Sequence, residues 1–336
     1  MAINQPVRKW LYLVLSATIS FGSTLTASAA VMKDYLRPAS VPAPADNQVN
    51  AARSELGKML FFDPRLSGSN WISCATCHNP ALGWSDGLPT AIGNGQKVLG
   101  RATPSILNSA YNPLQMWDGR FRTLEQQALG PMSSPGEMNQ DMGEVVKELK
   151  AVKGYVKLFD KAYPGEGITV DTIAKALASF ERTVVSTEAP FDRWVKGDKK
   201  AISAEAQKGF DLFVGKARCS VCHSGFNFTD NGFHNIGLKS EDQGRYAVRK
   251  VKISKGAFKT PTLRDIAHTA PYMHNGQYKT LKEVVEHYNR GGDVKDNLSP
   301  NMQALNLSGK EKKQLVEFLK TLSGKPMNIT IPQLPN

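Results

Sequence analysis

The sequence predicts a mainly α-helical protein made of two domains of similar plan. Three observations lead there. Apolar residues recur at helical spacing in several stretches, no stretch of any length alternates as a strand would, and the order helix, Cys-x-x-Cys-His, loop occurs twice. The two pentapeptides are Cys74-Ala75-Thr76-Cys77-His78 and Cys219-Ser220-Val221-Cys222-His223, 145 residues apart. A length of 336 residues also suits two domains of roughly 150 residues each.

Residues 1–29 read as a secretory signal: Arg8 and Lys9 give a positive start, Trp10 to Thr26 an apolar middle, and Ala27-Ser28-Ala29 a small-residue cleavage site. A membrane anchor is the alternative, but Ser, Thr and Gly dilute the apolar run, and no other run approaches the ~20 residues of a span. Cleavage near Ala29, export to the periplasm and no stable membrane span afterwards are therefore expected. Residues 30–200 and 201–336 are expected to form the two domains, one around each pentapeptide. Pro38 to Asp46 reads as an extended lead-in. Asn50 to Phe62 has helical spacing in Leu56, Met59 and Leu60, and Pro64 ends it. A Gly-rich loop from Gly83 to Gly100 follows the first pentapeptide. Asp141–Tyr163, Val170–Val195 and Ser203–Val214 read as amphipathic helices, a long loop runs from Ser224 to Asp265, and helices at Leu281–Arg290 and Ser308–Leu322 close the chain.

The formal net charge is +12, or +10 once Arg8 and Lys9 leave with the signal. A basic surface suits an acidic protein partner. The basic residues are scattered, with no long run beside aromatics, so nucleic-acid binding is not expected.

The pentapeptide itself carries the chemistry. Four cysteines in an exported chain could form two disulfides, in any of three connectivities, and paired Cys-x-x-Cys motifs could hold zinc. Yet only 6 His occur in the chain, and one directly follows each pair. By composition alone that is roughly a one-in-three-thousand coincidence, whereas covalent haem attachment requires it. Two thiols add across the porphyrin vinyl groups and the adjacent imidazole reaches the iron. The expectation is two covalently bound haems c, with all four cysteines consumed, in two cytochrome c-like domains.

With these motifs on the page, the chain resembles the bacterial di-haem cytochrome c peroxidase and MauG superfamily from about Leu56 to Leu322. The resemblance rests on Leu60-Phe61-Phe62-Asp63-Pro64, both haem motifs, Trp117-Asp118-Gly119-Arg120, Glu137-Met138, Pro261-Thr262-Leu263-Arg264 and Thr269-Ala270-Pro271-Tyr272-Met273-His274-Asn275-Gly276. It implies that the first haem, ligated by His78, is the peroxide site, and that the second, ligated by His223, stores and relays electrons. It makes Trp117 the relay between them, although a Trp in this tetrapeptide would by itself be read as core packing. It makes Gln127 and Glu137 the distal pair that handles the peroxide proton. Without the resemblance, Glu137 reads equally well as an acid near the start of the Asp141 helix.

Three positions depart from the superfamily's classical pattern. The His that caps the active haem in many members is here Asn94, 16 residues past His78, and no His lies between His78 and His223. The first haem is therefore expected open or water-bound. The second haem's axial Met, 14 residues after the His of Pro-Tyr-x-His, is here Tyr288, as in the MauG branch. His287 is the rival, about 100° away on the same helix; Met273 and His274 are expected to be structural, and His234 and His268 to be loop histidines near haem propionates. The Asn that helps hold Ca²⁺ between the haems is here Ala102, which leaves the carbonyls of Thr269 and Pro271 and puts the calcium in question. Finally, the Trp that MauG places two residues before its second motif is here Ala217. The functional expectation is an exported peroxidase reducing hydrogen peroxide with electrons from a small cytochrome c or copper protein. The alternatives are a MauG-like enzyme oxidising aromatic residues of a protein substrate, or a di-haem electron carrier.

Overall fold

The computed structural model describes residues 32–336, so the expected signal lies outside the described residues. The chain is helical with very little sheet, as expected. In order, the helices are α1 (Ala51–Phe62), α2 (Cys74–Cys77), α3 (Leu124–Ser133), α4 (Met142–Ala151), α5 (Lys153–Ala162), α6 (Val170–Glu181), α7 (Pro190–Val195), α8 (Ala204–Val214), α9 (Leu281–Asn289) and α10 (Gly309–Lys320). Two short strands, β1 (Phe233–His234) and β2 (Phe258–Lys259), pair antiparallel with Phe233 opposite Lys259.

Local chemistry sets the helix starts. Asn50 accepts from the Arg53 N–H at the head of α1, Ser203 from Ala206 at α8, and Ser308 forms a capping box with Glu311 at α10. Each haem motif follows a helix that crosses the last long helix of its own half: α1 lies on α6, and α8 on α10. A glycine stands at each crossing. A Cβ on Gly57 would collide with the Ala176 carbonyl, and one on Gly209 with the Gln314 carbonyl, so only glycine lets the backbones approach this closely.

Two hydrophobic cores result. The first gathers Leu56, Leu60 and Phe61 of α1 with Ile173, Leu177 and Phe180 of α6 and with Trp84. The second is aromatic: Tyr35, Phe191, Phe210, Phe213, Phe228 and Phe318, with several edge-to-face ring pairs 5.3–5.8 Å apart. Chain order does not divide them cleanly. Tyr35 and Phe191 pack in the second core, while Met327 and Ile329 of the C-terminal tail return to the first.

Two expected helices are broken and one helix was unexpected. The Asp141–Tyr163 stretch splits at Val152, whose backbone is extended. Val145 and Leu149 face the core from α4, whereas Tyr155, Phe159 and Ala162 do so from α5; the six-residue step from Leu149 to Tyr155 does not fit one helical face, and the extended residue resets it. The Val170–Val195 stretch ends after Glu181. The β-branched run Thr183-Val184-Val185 then leaves the helix, Asn108 exchanges hydrogen bonds with Val184 and Ser186, and Pro190 keeps Ala189 extended until α7 begins. Helix α3 is hidden in the sequence by Gly130-Pro131 in its last turn; Thr123 caps it, and Gly130 makes room for the Phe121 ring.

The helix crossings yield a test. Gly57→Ala and Gly209→Ala should each destabilise the protein by about 1–3 kcal/mol or more through overpacking, read from chemical denaturation. A shift within about 0.5 kcal/mol, the size of an ordinary surface substitution, would show that the helices separate without cost.

Candidate di-haem site

Each pentapeptide closes one turn. The His78 N–H donates to the Cys74 carbonyl and the His223 N–H to the Cys219 carbonyl, both at 2.9 Å. One turn thus presents two sulfurs and an imidazole to one wall. All six side chains line a single cavity of about 690 Å³ that reaches both motifs.

The imidazoles are held from behind. His78 Nδ1 donates to the Trp84 carbonyl at 3.2 Å, and His223 Nδ1 to the Phe228 carbonyl at 2.8 Å, leaving each Nε2 for the cavity. Burial lowers the pKa of both, keeping them in the neutral form that ligates metal. Trp84 and Phe228 are themselves buried and sit at φ +63° and +51°, a conformation that bulky residues rarely adopt.

The placement of the sulfurs fits two separate haem sites and not one shared zinc. All four cysteines are free. Burial pushes the Cys77 thiol up to about 11 and Cys219 to about 12, so they are neutral sulfurs. Among the described residues the four do not converge; the one close grouping of metal-capable side chains is Cys222, Asp230 and His234, within 4.8 Å. In that group His234 already pairs with Asp230 at 2.9 Å, which raises its pKa to about 10, and its Nδ1 meets Ser299 Oγ. The cavity also contains Lys259, a buried cation whose pKa burial lowers to about 8. Its ammonium makes no hydrogen bond or ion pair among the described residues, as a counter-charge awaiting an acidic cargo such as a haem propionate would.

The remaining sequence-predicted residues fall as follows. Trp117 lines the cavity; its indole N–H donates to the Ala102 carbonyl at 2.9 Å, and its own carbonyl accepts from the Lys259 N–H at 2.8 Å, so both halves of the chain grip it. Gln127 and Glu137 line the cavity too. Gln127 Nε2 lies 3.9 Å from Met116 Sδ, and Glu137 is near enough to Cys77 to raise that thiol's pKa. Asn94 donates its backbone N–H to the Glu137 carbonyl at 2.8 Å, packing its loop onto the Glu137 turn. Tyr288 lines the cavity, and burial raises its pKa. His287 points elsewhere: Nδ1 meets Tyr278 Oη at 3.0 Å and Nε2 the Ile236 carbonyl at 2.9 Å. His274 stacks on Phe258 at 3.7 Å, Met273 precedes it on the cavity wall, and His268 Nε2 meets the Gly324 carbonyl. Thr269 and Pro271 line the cavity, but the Ala102 carbonyl nearby is already taken by Trp117.

Sequence reasoning missed Glu181. It ends α6, lines the cavity on the Cys74 side, and its Oε2 has no hydrogen-bond partner. Burial raises its pKa to about 8, against the pull of Arg182. Its place was legible: Glu181 follows Leu177 by four residues, on the apolar stripe of the helix.

Two Cys-x-x-Cys-His turns opening on one cavity in a helical chain define a di-haem c-type cytochrome. Comparison with known proteins agrees. Residues 51–200 match the di-haem cytochrome c peroxidase family, and residues 206–323 the cytochrome c family. The chain is 49% identical over 328 residues to the methylamine utilization protein MauG of Methylorubrum extorquens, covering 95% of this chain and 93% of that one. It is 37% identical over 298 residues to the cytochrome c551 peroxidase of Pseudomonas aeruginosa, covering 85% and 83%. A crystal structure of a MauG-like protein associated with microbial copper homeostasis superposes with a TM-score of 0.81 at 31% identity, over 87% of this chain and 94% of that one. The chain belongs to the di-haem cytochrome c peroxidase and MauG family, whose two haem c cofactors the cavity and its cysteine and histidine donors fit.

Glu181 sets a pH dependence. Its folded pKa lies above the ordinary value of 4.5, so its proton is kept in the fold and lost from the unfolded chain. Stability should therefore fall as pH rises from about 4.5 to about 8, then level off. Glu181→Gln should flatten the thermal midpoint across that window; an unchanged slope would show that Glu181 is already ionised in the fold.

Proposed function

We propose that this protein is an exported, peroxide-driven di-haem oxidoreductase that draws electrons from a protein partner, of the MauG type rather than the classical cytochrome c peroxidase type. One observation carries the choice: α9 turns Tyr288 to the cavity while both ring nitrogens of His287 are tied down. Cys74, Cys77 and His78 would hold the first haem and Cys219, Cys222 and His223 the second, with Tyr288 as a further oxygen donor that the second iron would draw on. A phenolate is a hard donor that favours higher iron oxidation states, unlike a thioether. When bound, the haems supply the two electrons that, with two protons, convert hydrogen peroxide to two waters.

The protein's own groups handle the protons and the path. The Glu137 carboxylate takes a proton from incoming peroxide and returns it to the departing oxygen, while Gln127 orients it. An electron carrier would need neither residue. Trp117, held at Ala102 by its indole N–H and at Lys259 by its backbone carbonyl, serves as the relay between the two halves. The Asn94 loop brings no imidazole to cap the first site. Calcium forms no part of the reading: Ala102 lacks a side-chain oxygen, and water would have to supply what Thr269 and Pro271 do not. Export to the periplasm follows from the signal-like residues 1–29 and from the bacterial attachment of c-type haem outside the cytoplasmic membrane. Ala217 favours a second reading, a cytochrome c peroxidase fed by a small carrier, because this buried methyl replaces the indole that MauG places before its second motif.

Stopped-flow mixing of peroxide with the ferric protein tests the proposal. An oxidised state that modifies an aromatic residue of a partner, read by mass, supports the MauG type, while rapid turnover of a small cytochrome c supports the second reading. Bleaching alone would sink both. Tyr288→Phe should change only the second haem's low-spin electron paramagnetic resonance signal, and His287→Ala should spare it; the reverse pattern would name His287 the ligand. Glu137→Gln should slow the peroxide step about 10²-fold or more with both haems retained. An unchanged rate would reduce Glu137 to a charge before α4.

A further inference from the structure

We propose that the exposed loop over residues 245–255 is the docking surface for an acidic redox protein that delivers electrons on the Trp117 side of the cavity. The inference rests on the protein-partner reading above and adds where the partner sits and what its surface must be.

The first ground is chemistry. The segment Val248-Arg249-Lys250-Val251-Lys252-Ile253-Ser254-Lys255 interleaves four cations with three aliphatic side chains, and no acid lies between Gly244 and Gly256. Arg249, Lys250, Lys252 and Lys255 are exposed, and none of the ion pairs among the described residues involves them. Val251 is 52% and Ile253 76% exposed, well beyond what the fold requires of a β-branched residue. Cations steer an acidic partner in, and a small apolar tip lets it approach closely without binding it for long.

The second ground is order. The Asn297 side-chain amide donates to the carbonyls of Lys252, Ile253 and Lys255, and Ser254 Oγ to those of Arg249 and Val251. A loop whose carbonyls share the Asn297 amide and the Ser254 hydroxyl in this way loses little entropy on docking.

The third ground is place. Arg245 Nη1 donates to the Asp118 and Gly119 carbonyls at 2.7 Å, and past the loop's other end the Lys259 N–H donates to the Trp117 carbonyl. Both feet of the loop therefore stand on the backbone of the Trp117–Gly119 turn. Because each carrier gives one electron, two must dock and leave for each peroxide reduced. An anionic membrane surface is the rival occupant, but the tip carries no aromatic anchor, and a membrane would gain nothing from the loop's footing on Trp117.

The test uses the haem-loaded protein and the variant R249E/K250E/K252E/K255E, with a small acidic cytochrome c as the probe. Binding is measured by titration at low ionic strength, separately from peroxide-driven oxidation of the reduced cytochrome. The wild type should bind, with both readouts weakening as salt is added, and the variant should lose roughly tenfold or more in each. Turnover of neutral hydroquinone should be unchanged. If the wild type binds and the variant does not, while neither protein reduces peroxide, the docking surface stands and the functional reading fails. Equal binding by the two proteins, or wild-type binding to phosphatidylglycerol-containing vesicles with none to the cytochrome, overturns the docking proposal.

Discussion

The hydrogen bond from each ligand histidine to a backbone carbonyl constrains most of what surrounds it. That carbonyl belongs to Trp84 in one half and Phe228 in the other, both in the left-handed conformation. Such a backbone costs about 1–3 kcal/mol, comparable to the roughly 1.5–3 kcal/mol gained by burying a large apolar side chain. The rings are therefore buried as deeply as any in the protein. Trp84 packs on Phe61 of α1 and Phe180 of α6, and Phe228 on Tyr35, Phe191 and Phe213. In each half, one residue joins the core to the iron-ligand geometry. A helix crossing loosened at Gly57 would reach His78 through Trp84.

The same coupling explains what could be read in advance. The pentapeptides were legible because their chemistry is local: two sulfurs and an imidazole within one turn. Helices α1, α8, α9 and α10 were legible because their apolar spacing and caps agree. The breaks were not, since Val152 merely resets the phase between two apolar faces and the 183–189 segment leaves the helix to bond with the distant Asn108. Helix α3, which carries Gln127, was hidden because Gly130 and Pro131 speak locally for a loop, and only the packed Phe121 ring explains the glycine. That Tyr288 and Trp117 face a shared cavity could be inferred from resemblance but not from pattern. Glu181 was overlooked because an acid next to an arginine suggests a surface pair, whereas the helical phase buries it.

The two halves are interlocked, which matters for electron movement between fixed sites. Tyr35 and Phe191 cross into the second core, and the tail carries Met327 and Ile329 back to the first. Trp117 is bonded to Ala102 on one side and to Lys259 of β2 on the other. A hinge motion separating the halves would break these bonds and open the cavity to water. The arrangement thus favours halves fixed relative to one another, in keeping with a first motif whose following loop, at Asn94, is packed onto the Glu137 turn.

Which of two adjacent side chains reaches the cavity depends on their neighbours. Residues 287 and 288 lie on one helix about 100° apart, so exchanging them would take more than a quarter turn of α9. Several contacts oppose it. The Thr280–Glu283 capping box sets where the helix begins, and Lys312 of α10 pairs with Glu286 at 2.7 Å. His287 lies against Tyr278 through one nitrogen and the Ile236 carbonyl through the other, and the Tyr278 hydroxyl is itself held by Asp293 at 3.0 Å. With the imidazole occupied in this way, the phenol is the group of the pair left on the wall of the cavity that His223 also lines. The place of Tyr288 on the cavity wall therefore rests as much on what restrains His287 as on the residue at 288, and loss of Tyr278 or Asp293 would free His287 to compete for it.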